Sequence, residues 1–347
     1  MMRPRTEPAA HLQTPIAERI REKGFLMEDE SPRAATQKRD SRTLYKLAQS
    51  MNWDAECTRF ERLAGGLAHE SYLAYVDGER YVVKFLCDGF VKHGLMLPHD
   101  QLIHNTRAAG EAGIGARVVH AIPEESIMVL EFIEGRTLEM ADLANPYYIP
   151  RIASGLRQLH TLASPFANEK TVFDLLDGCL DILRNEGIRV PHGCVDHLST
   201  VDRIRRALEA QALRFVPCNN DAYAPNFIDQ NGTIRIIDYD YSGMNDPCFE
   251  LGDVAVEGRY TPDQVEVLCA TYFQVRRPVQ VARTRLFGIA AQFTWTLLFA
   301  AADQVYEPKP DPDYDYWAES LVRWNVTLPL LTSPELGILL DHAQRDE

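Results

Sequence analysis

The chain predicts an α+β fold of two lobes, a small β-rich lobe followed by a larger helical one. Three observations carry that expectation. Two tight-turn pairs, Asp77-Gly78 and Asn231-Gly232, each sit between short runs of strand-forming residues. Both pairs tolerate the positive φ that a tight hairpin demands. Most of the strand pattern lies before residue 134, and beyond it apolar residues recur mainly at helical spacing. A chain of 347 residues is long enough for two domains or one two-lobed unit.

Taken in order, residues 1–42 read as a polar extension expected to be flexible. Within it, Pro15 to Gly24 has the pattern of a short amphipathic helix, with Ile16 and Ile20 on one side and a glycine stop. A loosely docked tail, a dimer arm and an autoregulatory segment are all open readings. Residues 43–133 form the N-terminal lobe. It starts with a helix from Ser41 to Met51, followed by a glycine pair, Gly65-Gly66, and strands Tyr72 to Val76 and Arg80 to Phe85. Alternation along the second strand puts Val82 and Lys84 on one face and Tyr81, Val83 and Phe85 on the other. A helix from His99 to Ala112 and a buried strand through Ser126 to Ile133 complete the lobe. Residues 134–347 form the C-terminal lobe. Its helices are expected at Ile152 to His160, Phe173 to Gly187, His197 to Leu213, 262–275, 280–306 and Trp317 to Asn325, with Pro329 to Glu347 as a terminal cap.

Composition narrows the function classes. Net charge is −14 and the pI is near 5.2. Such a chain lacks the basic surface that nonspecific nucleic-acid or anionic-membrane partners require. The seven cysteines are scattered and odd in number, without a CxxC pair, as in a reducing compartment. The first residues lack an apolar core of a signal peptide, and no apolar run is expected to approach membrane-spanning length. A soluble cytoplasmic protein is therefore expected, with a homodimer among the assemblies left open.

The chemistry concentrates between Pro217 and Asp253. The strands Phe227-Ile228-Asp229 and Thr233 to Ile237 flank the Asn-Gly turn, so pairing brings Asn226 and Asp238 together at the open end of the hairpin. An amide oxygen beside a carboxylate is a hard-oxygen donor set of the kind Mg²⁺ prefers. Asp221 lies on the loop just upstream, placed to take the proton of a hydroxyl. A loop aspartate, a following asparagine and a metal aspartate after a strand are the layout of phosphoryl transfer.

The segments Asn219-Asn220-Asp221, Asn226 and Ile237-Asp238-Tyr239-Asp240-Tyr241-Ser242-Gly243 resemble the choline/ethanolamine kinases, especially their bacterial members. These belong to a wider group with the aminoglycoside phosphotransferases and the protein kinases. The family pattern is His-Asn-Asp, then Asn, then Ile-Asp-Tyr-Glu-Tyr. The resemblance implies a two-lobed protein-kinase-like fold with ATP between the lobes and Mg²⁺ on Asn226 and Asp238. It implies that Gly65 and Gly66 approach the phosphates, Lys84 holds the α- and β-phosphates, and the backbone of Glu131, Phe132 and Ile133 meets adenine. Asp221 would be the catalytic base, and Asp240 would lie near the metal or the acceptor. His160 matches a family Leu-His and is expected to be structural.

Three departures from the pattern stand out. Asn219 occupies the family's histidine position, and Leu102 falls where the helix normally carries the glutamate that pairs with the strand lysine. Leu297 and Ala300 fall where tryptophans are usual, with Gln304 matching the glutamine that follows them. A quaternary ammonium is held by ring faces and carboxylates. The candidates for that pocket are Tyr241, Trp295 and Trp317, with Asp240, Asp246, Glu250, Asp253 and Glu257 nearby in sequence. The implied activity is ATP-dependent phosphorylation of the hydroxyl of a small cationic metabolite, choline or ethanolamine. Aminoglycosides and thiamine are alternative acceptors, and a nucleotide- or metabolite-binding pseudokinase is the non-enzymatic alternative.

Overall fold

The computed structural model describes residues 41–63, 68–211, 213–306, 309 and 313–345. The extension before residue 41 and the pair Gly65-Gly66 lie outside the described residues. The N-terminal part is a five-stranded antiparallel sheet in the order β1-β2-β3-β5-β4. Its strands are β1 Arg59–Arg62, β2 Glu70–Val76, β3 Glu79–Phe85, β4 Val118–Ile122 and β5 Ile127–Glu131. The Asp77-Gly78 turn joins β2 to β3, with φ of 50° and 86° at its two residues, and Val76 pairs with Glu79. The alternation expected along β3 is present. Val83 and Phe85 pack with Leu47 of the first helix, α1 Ser41–Ser50, while Val82 packs against the opposite cluster that runs into the helical part. Lys84, two residues on, shares the Val82 side, which turns it away from α1 and toward the rest of the protein.

Helix α2, His99–Glu111, lies against β4 and places Leu102 in that second cluster, beside Leu97, Ile103 and Met128. The chain then enters the helical part through β6 Arg136–Thr137 and the short α3 Met140–Leu143. The remaining helices are α4 Ile149–Leu162, α5 Val172–Glu186, α6 Leu198–Glu209, α7 Pro247–Glu257, α8 Pro262–Phe273, α9 Pro278–Val305, α10 Tyr316–Leu331 and α11 Glu335–Ala343. Between α6 and α7 lie β7 Val216–Cys218, the hairpin β8 Phe227–Gln230 and β9 Thr233–Ile236, and β10 Gly243–Asn245. Helix α10 runs past Asn325, where sequence spacing suggested an end, because its buried stripe Tyr316, Ser320, Trp324, Thr327 and Leu331 continues beyond it. Pro329 is accommodated in the last turn.

Helix α9 is the axis of the helical part. It is apolar around its whole circumference, and α5, α7, α10 and α11 pack on it. By length and composition it reaches the membrane-spanning range, contrary to the expectation that no segment would. Of its most apolar window, 89% is buried, as in a core helix enclosed on every side. Its crossing with α7 is unusually close. A Cβ on Gly252 would lie 2.3 Å from the Thr284 carbonyl oxygen, so only glycine allows this approach. The contact fixes α7, and with it Glu250 and Asp253, relative to Trp295 on α9.

The start of α7 is fixed a second way. Asp246 caps it, accepting from the Cys248 amide at 2.8 Å, and Pro247 occupies the first helical position. The same carboxylate pairs with Arg283 of α9, which is 1% exposed and also donates to the Leu208 carbonyl at 2.9 Å. Replacing Asp246 with alanine removes the cap and strands a buried guanidinium. The expected cost is about 3–5 kcal/mol, read as a lowered midpoint in urea denaturation. A loss below about 1 kcal/mol would mean that Arg283 finds another partner.

Candidate active site

The β8–β9 hairpin forms in the register its turn dictates. Phe227 pairs with Ile236 and Gln230 with Thr233, with Asn231 and Gly232 at φ of 54° and 88°. One step beyond the ladder, the Ile237 amide donates to the Asn226 carbonyl at 2.9 Å, which brings Asn226 beside Asp238. Asp238 has φ of 66°, a left-handed conformation uncommon for a residue with a side chain. The Asn226 amide nitrogen donates to the main-chain oxygen of Asp221 and to its Oδ2, both at 3.1 Å. Asp221, Asn226 and Asp238 thus meet at one end of one hairpin. With its nitrogen committed to Asp221, Asn226 has its amide oxygen as the ligand it can offer a cation.

The loop that carries Asp221 is held from below. One oxygen of Glu250 accepts the amides of Asn219 and Asn220, at 2.8 and 3.1 Å. The other accepts from Nε2 of His160, whose Nδ1 takes the Tyr272 hydroxyl at 2.7 Å. His160 and Glu250 are buried, so this relay is structural, as expected for His160. The loop's own side chains complete the bracing. The Asn219 amide nitrogen donates to the carbonyls of Ile237 and Asp238 at 3.2 and 2.6 Å, and its oxygen accepts from the Asp221 amide at 3.2 Å. An amide can serve both strands at once because it carries donors and an acceptor. Asn220, at φ of 65°, donates to the carbonyls of Lys170 and Tyr241 at 3.2 and 2.9 Å.

Lys84 reaches the same place from the sheet. Its Nζ is 2.7 Å from Asp238 Oδ1 and 3.8 Å from Asp240 Oδ1. The expected acidic partner on α2 is not there. Leu102 is 1% exposed in an apolar cluster, and Asp100 and Glu111 are exposed at the helix ends. Asp240 also accepts from Nε2 of the buried His69 at 3.1 Å. At the hinge, the amide of Glu131 bonds the Arg117 carbonyl at 3.0 Å, and its carboxylate lies between Arg117 and Arg235. The Phe132 amide bonds the Arg80 carbonyl at 3.3 Å, with the Arg80 guanidinium over the Phe132 ring, and Ile133 is buried.

On the far side of Asp221 the structure brings Tyr241 and Trp295 together, edge to face with centroids 5.1 Å apart. The Trp295 indole donates to Asp253 Oδ1 at 3.0 Å, and the Ala222 amide donates to Oδ2 at 3.0 Å. Trp295 is therefore tied to the residue next to Asp221. Trp317 sits elsewhere, under the Arg189 guanidinium at 4.0 Å, where Gln304 brackets the Arg189 backbone. The five carboxylates grouped by sequence also separate. Asp246 and Glu250 are structural, Glu257 pairs with Arg323, and Asp240 and Asp253 remain beside the cluster. Nothing in the composition of the stretch marked Glu250 as the loop's anchor or His69 as a partner of Asp240, since both contacts join distant segments.

The cluster carries more negative charge than Lys84 can balance. Burial, then the charges of Asp238, Asp253 and Asp240, push the Asp221 carboxyl well above the ordinary range. Burial and the neighbouring Asp240 raise Asp238, whereas His69 and Lys84 hold Asp240 below its usual value against burial. Crowded oxygen donors with raised proton affinity suit a hard divalent cation, so the residues present fit Mg²⁺.

Comparison with known proteins places the chain near kinases of small molecules. Residues 98–267 match the choline/ethanolamine kinase family. Protein LicA of Haemophilus influenzae is 24% identical over 214 residues, a match spanning 60% of this chain and 61% of that protein. A thiamine kinase of Escherichia coli is 24% identical over 265 residues, covering 74% of this chain and 89% of that enzyme. The crystal structure of a choline/ethanolamine kinase family protein from Mesorhizobium loti superposes with a TM-score of 0.73 at 26% identity, covering 88% of this chain and 97% of that one. The resemblance seen in the sequence holds, and the fold is that of the protein-kinase-like phosphotransferases, with a β-sheet N-terminal part and a mostly helical C-terminal part. The chain spans about three fifths of the length of Protein LicA, and its similarity is to kinases of small molecules.

Asp253 offers a test of the site's electrostatics. Burial and then Glu257 raise its carboxyl to about 7. Between its ordinary value of 3.8 and about 7 the folded chain keeps a proton that the unfolded chain releases. The contribution to stability is therefore full below the ordinary value and is lost as pH rises through the folded one. The gap in unfolding free energy between the native chain and Asp253→Asn should shift in favour of the variant across that window, at up to about 1.4 kcal/mol per unit. A gap independent of pH from 4 to 8, measured by urea denaturation, would place the Asp253 proton elsewhere.

Proposed function

We propose that the chain is an ATP-dependent phosphotransferase whose acceptor is the hydroxyl of a small cationic metabolite, choline or ethanolamine. The observation that carries this reading is the meeting of Asp221, Asn226, Asp238 and Lys84 at one hairpin end, between the sheet and the helical part. Lys84 steadies the α- and β-phosphates, and the hinge at Glu131, Phe132 and Ile133 faces adenine. Asn226 and Asp238 would hold Mg²⁺, which would supply positive charge against the transferring phosphoryl group. Asp221 takes the acceptor's hydroxyl proton as that oxygen bonds to the γ-phosphorus. The bond from the γ-phosphorus to the bridging oxygen breaks, and ADP leaves with the electron pair. Burial and the neighbouring acids raise the proton affinity of Asp221, the direction that a proton acceptor needs.

The acceptor reading rests on the rings and charges beyond Asp221. Tyr241 and Trp295 offer aromatic surface, and Asp253 offers a carboxylate beside them. The same furniture suits the thiazolium of thiamine, and the extent of similarity to the thiamine kinase favours that acceptor as the second reading.

One experiment separates these. ADP release is followed with Mg²⁺-ATP and choline, ethanolamine, thiamine or an aminoglycoside. Choline- or ethanolamine-dependent release is expected, and Asp221→Asn should lower kcat by about 10²–10⁴ while nucleotide affinity stays within a few-fold. Release with thiamine alone would transfer the assignment to thiamine. Nucleotide binding without acceptor-dependent release from any compound would make the chain a binding protein rather than an enzyme.

A further inference from the structure

Kinase-like enzymes orient the strand lysine with a glutamate from the following helix. Here Leu102 takes the glutamate's position and is built into an apolar cluster, so no carboxylate can reach Lys84 from there without disrupting the core. Among the described residues, the carboxylates within ion-pair reach of Lys84 are Asp238 and Asp240. On the proposed function, Asp238 is also the residue committed to the metal. It cannot serve as a dedicated holder of the lysine.

Asp240 is better suited to that duty. It is 4% exposed and fixed by its own partner. Nε2 of His69 donates to its Oδ1 at 3.1 Å, and the same oxygen is the one 3.8 Å from Lys84 Nζ. The imidazole is itself locked, because the Cys87 amide donates to Nδ1 at 3.1 Å. With Nδ1 accepting, the ring proton sits on Nε2, directed at Asp240. The chain continues on both sides into fixed structure. The Ala68 carbonyl accepts from the Tyr306 hydroxyl at 3.2 Å, and the Leu97 amide bonds the Asp240 carbonyl at 3.3 Å. The lysine, the carboxylate and the histidine come from β3, the segment after β9 and the segment before β2.

We propose that His69 and Asp240 together replace the missing helix glutamate: His69 is a positioning residue that fixes Asp240, and Asp240 orients Lys84 for the nucleotide phosphates. This deepens the kinase reading and rests on it. The lysine's holder is thereby moved from a helix that can swing to the metal-binding loop. The orientation of Lys84 then depends on the segment that follows Gly65-Gly66, rather than on the placement of α2.

The test uses the full chain, with His69→Ala, His69→Gln, Asp240→Asn and the double variant His69→Ala/Asp240→Asn. Glutamine keeps a terminal amide that can donate to Asp240, so it is the rescuing variant. The first measurement needs neither nucleotide nor turnover. The acetylation rate of Lys84 by a water-soluble acetylating reagent is followed by peptide mass spectrometry, with Lys46 and Lys170 as internal references. His69→Ala should raise the Lys84 rate by about threefold or more, while His69→Gln stays near the native value. In the second measurement, ATP affinity should fall about tenfold in His69→Ala and in Asp240→Asn, a change of about 1.4 kcal/mol. The double variant should be no weaker than Asp240→Asn alone, since residues acting through one contact are not additive. Unchanged Lys84 reactivity in His69→Ala, or additive losses in the double variant, would overturn the proposal. Native protein that binds no ATP would instead overturn the kinase reading, and the tether's role in phosphate binding with it, whatever the Lys84 reactivity.

Discussion

Glu250 is one carboxylate with two occupied oxygens, and the geometry of the site depends on it. One oxygen collects the successive amides of Asn219 and Asn220, and the other receives His160, which Tyr272 orients in turn. The backbone amides of a loop in this conformation have no ladder to join, and burying them without acceptors would cost more than any single side-chain contact in the site returns. A buried acid at the start of α7 solves this and ties the loop to the helical core. The close approach of Gly252 to α9 transmits the constraint further, since it sets where Trp295 stands relative to Asp253 and hence to Ala222, beside Asp221.

Above this support the site is a crowd of acids held short of neutrality. Burial and the charges of Asp238, Asp253 and Asp240 raise the proton affinity of Asp221, burial and Asp240 raise that of Asp238, burial and Glu257 raise that of Asp253, and Lys84 and His69 lower that of Asp240. In a folded protein such crowding is tolerated where ligands are meant to relieve it. The left-handed backbone at Asn220 and Asp238 is a related expense, placed at the two residues flanking the contact between catalytic and metal segments. Asn219 makes this junction workable. Its amide donates to the carbonyls after β9 and accepts from the Asp221 amide of its own loop, so the departure from histidine is matched by an arrangement that an amide completes.

The aromatic residues show why a list of candidates from a sequence is not a pocket. Trp295 and Tyr241 meet because α9 and the segment after β9 are packed around the same core. Trp317 begins α10 and is drawn to Arg189, a surface cation with which it makes a ring contact of ordinary kind. Among the acids, position along α7 decides the division. All four lie on one stripe, at spacings of four, three and four, and differ in what each meets along it: Asp246 the Cys248 amide and Arg283 of α9, Glu250 the amides of Asn219 and Asn220, Asp253 the Trp295 indole, and Glu257 Arg323 of α10.

The sequence by itself determined whatever short-range geometry controls. The turns at Asp77-Gly78 and Asn231-Gly232 fix hairpin registers through φ alone, and those registers dictate that Asn226 stands beside Asp238 and that Lys84 shares the Val82 side. Helices α4, α5, α6, α8 and α9 were legible from apolar spacing, within about a turn at their ends, whereas α7, α11 and the last turns of α10 were not. The tertiary structure decided the contacts between segments that no local rule relates. Among these are the pairing of β7 with β10, the depth of α9, the acceptance of catalytic-loop amides by Glu250, and the approach of His69 to Asp240 across 171 residues of chain. The reason is physical. A turn or an alternation is set by the dihedrals and neighbours of a few residues, whereas a side chain's partner is set by which elements the whole core brings face to face.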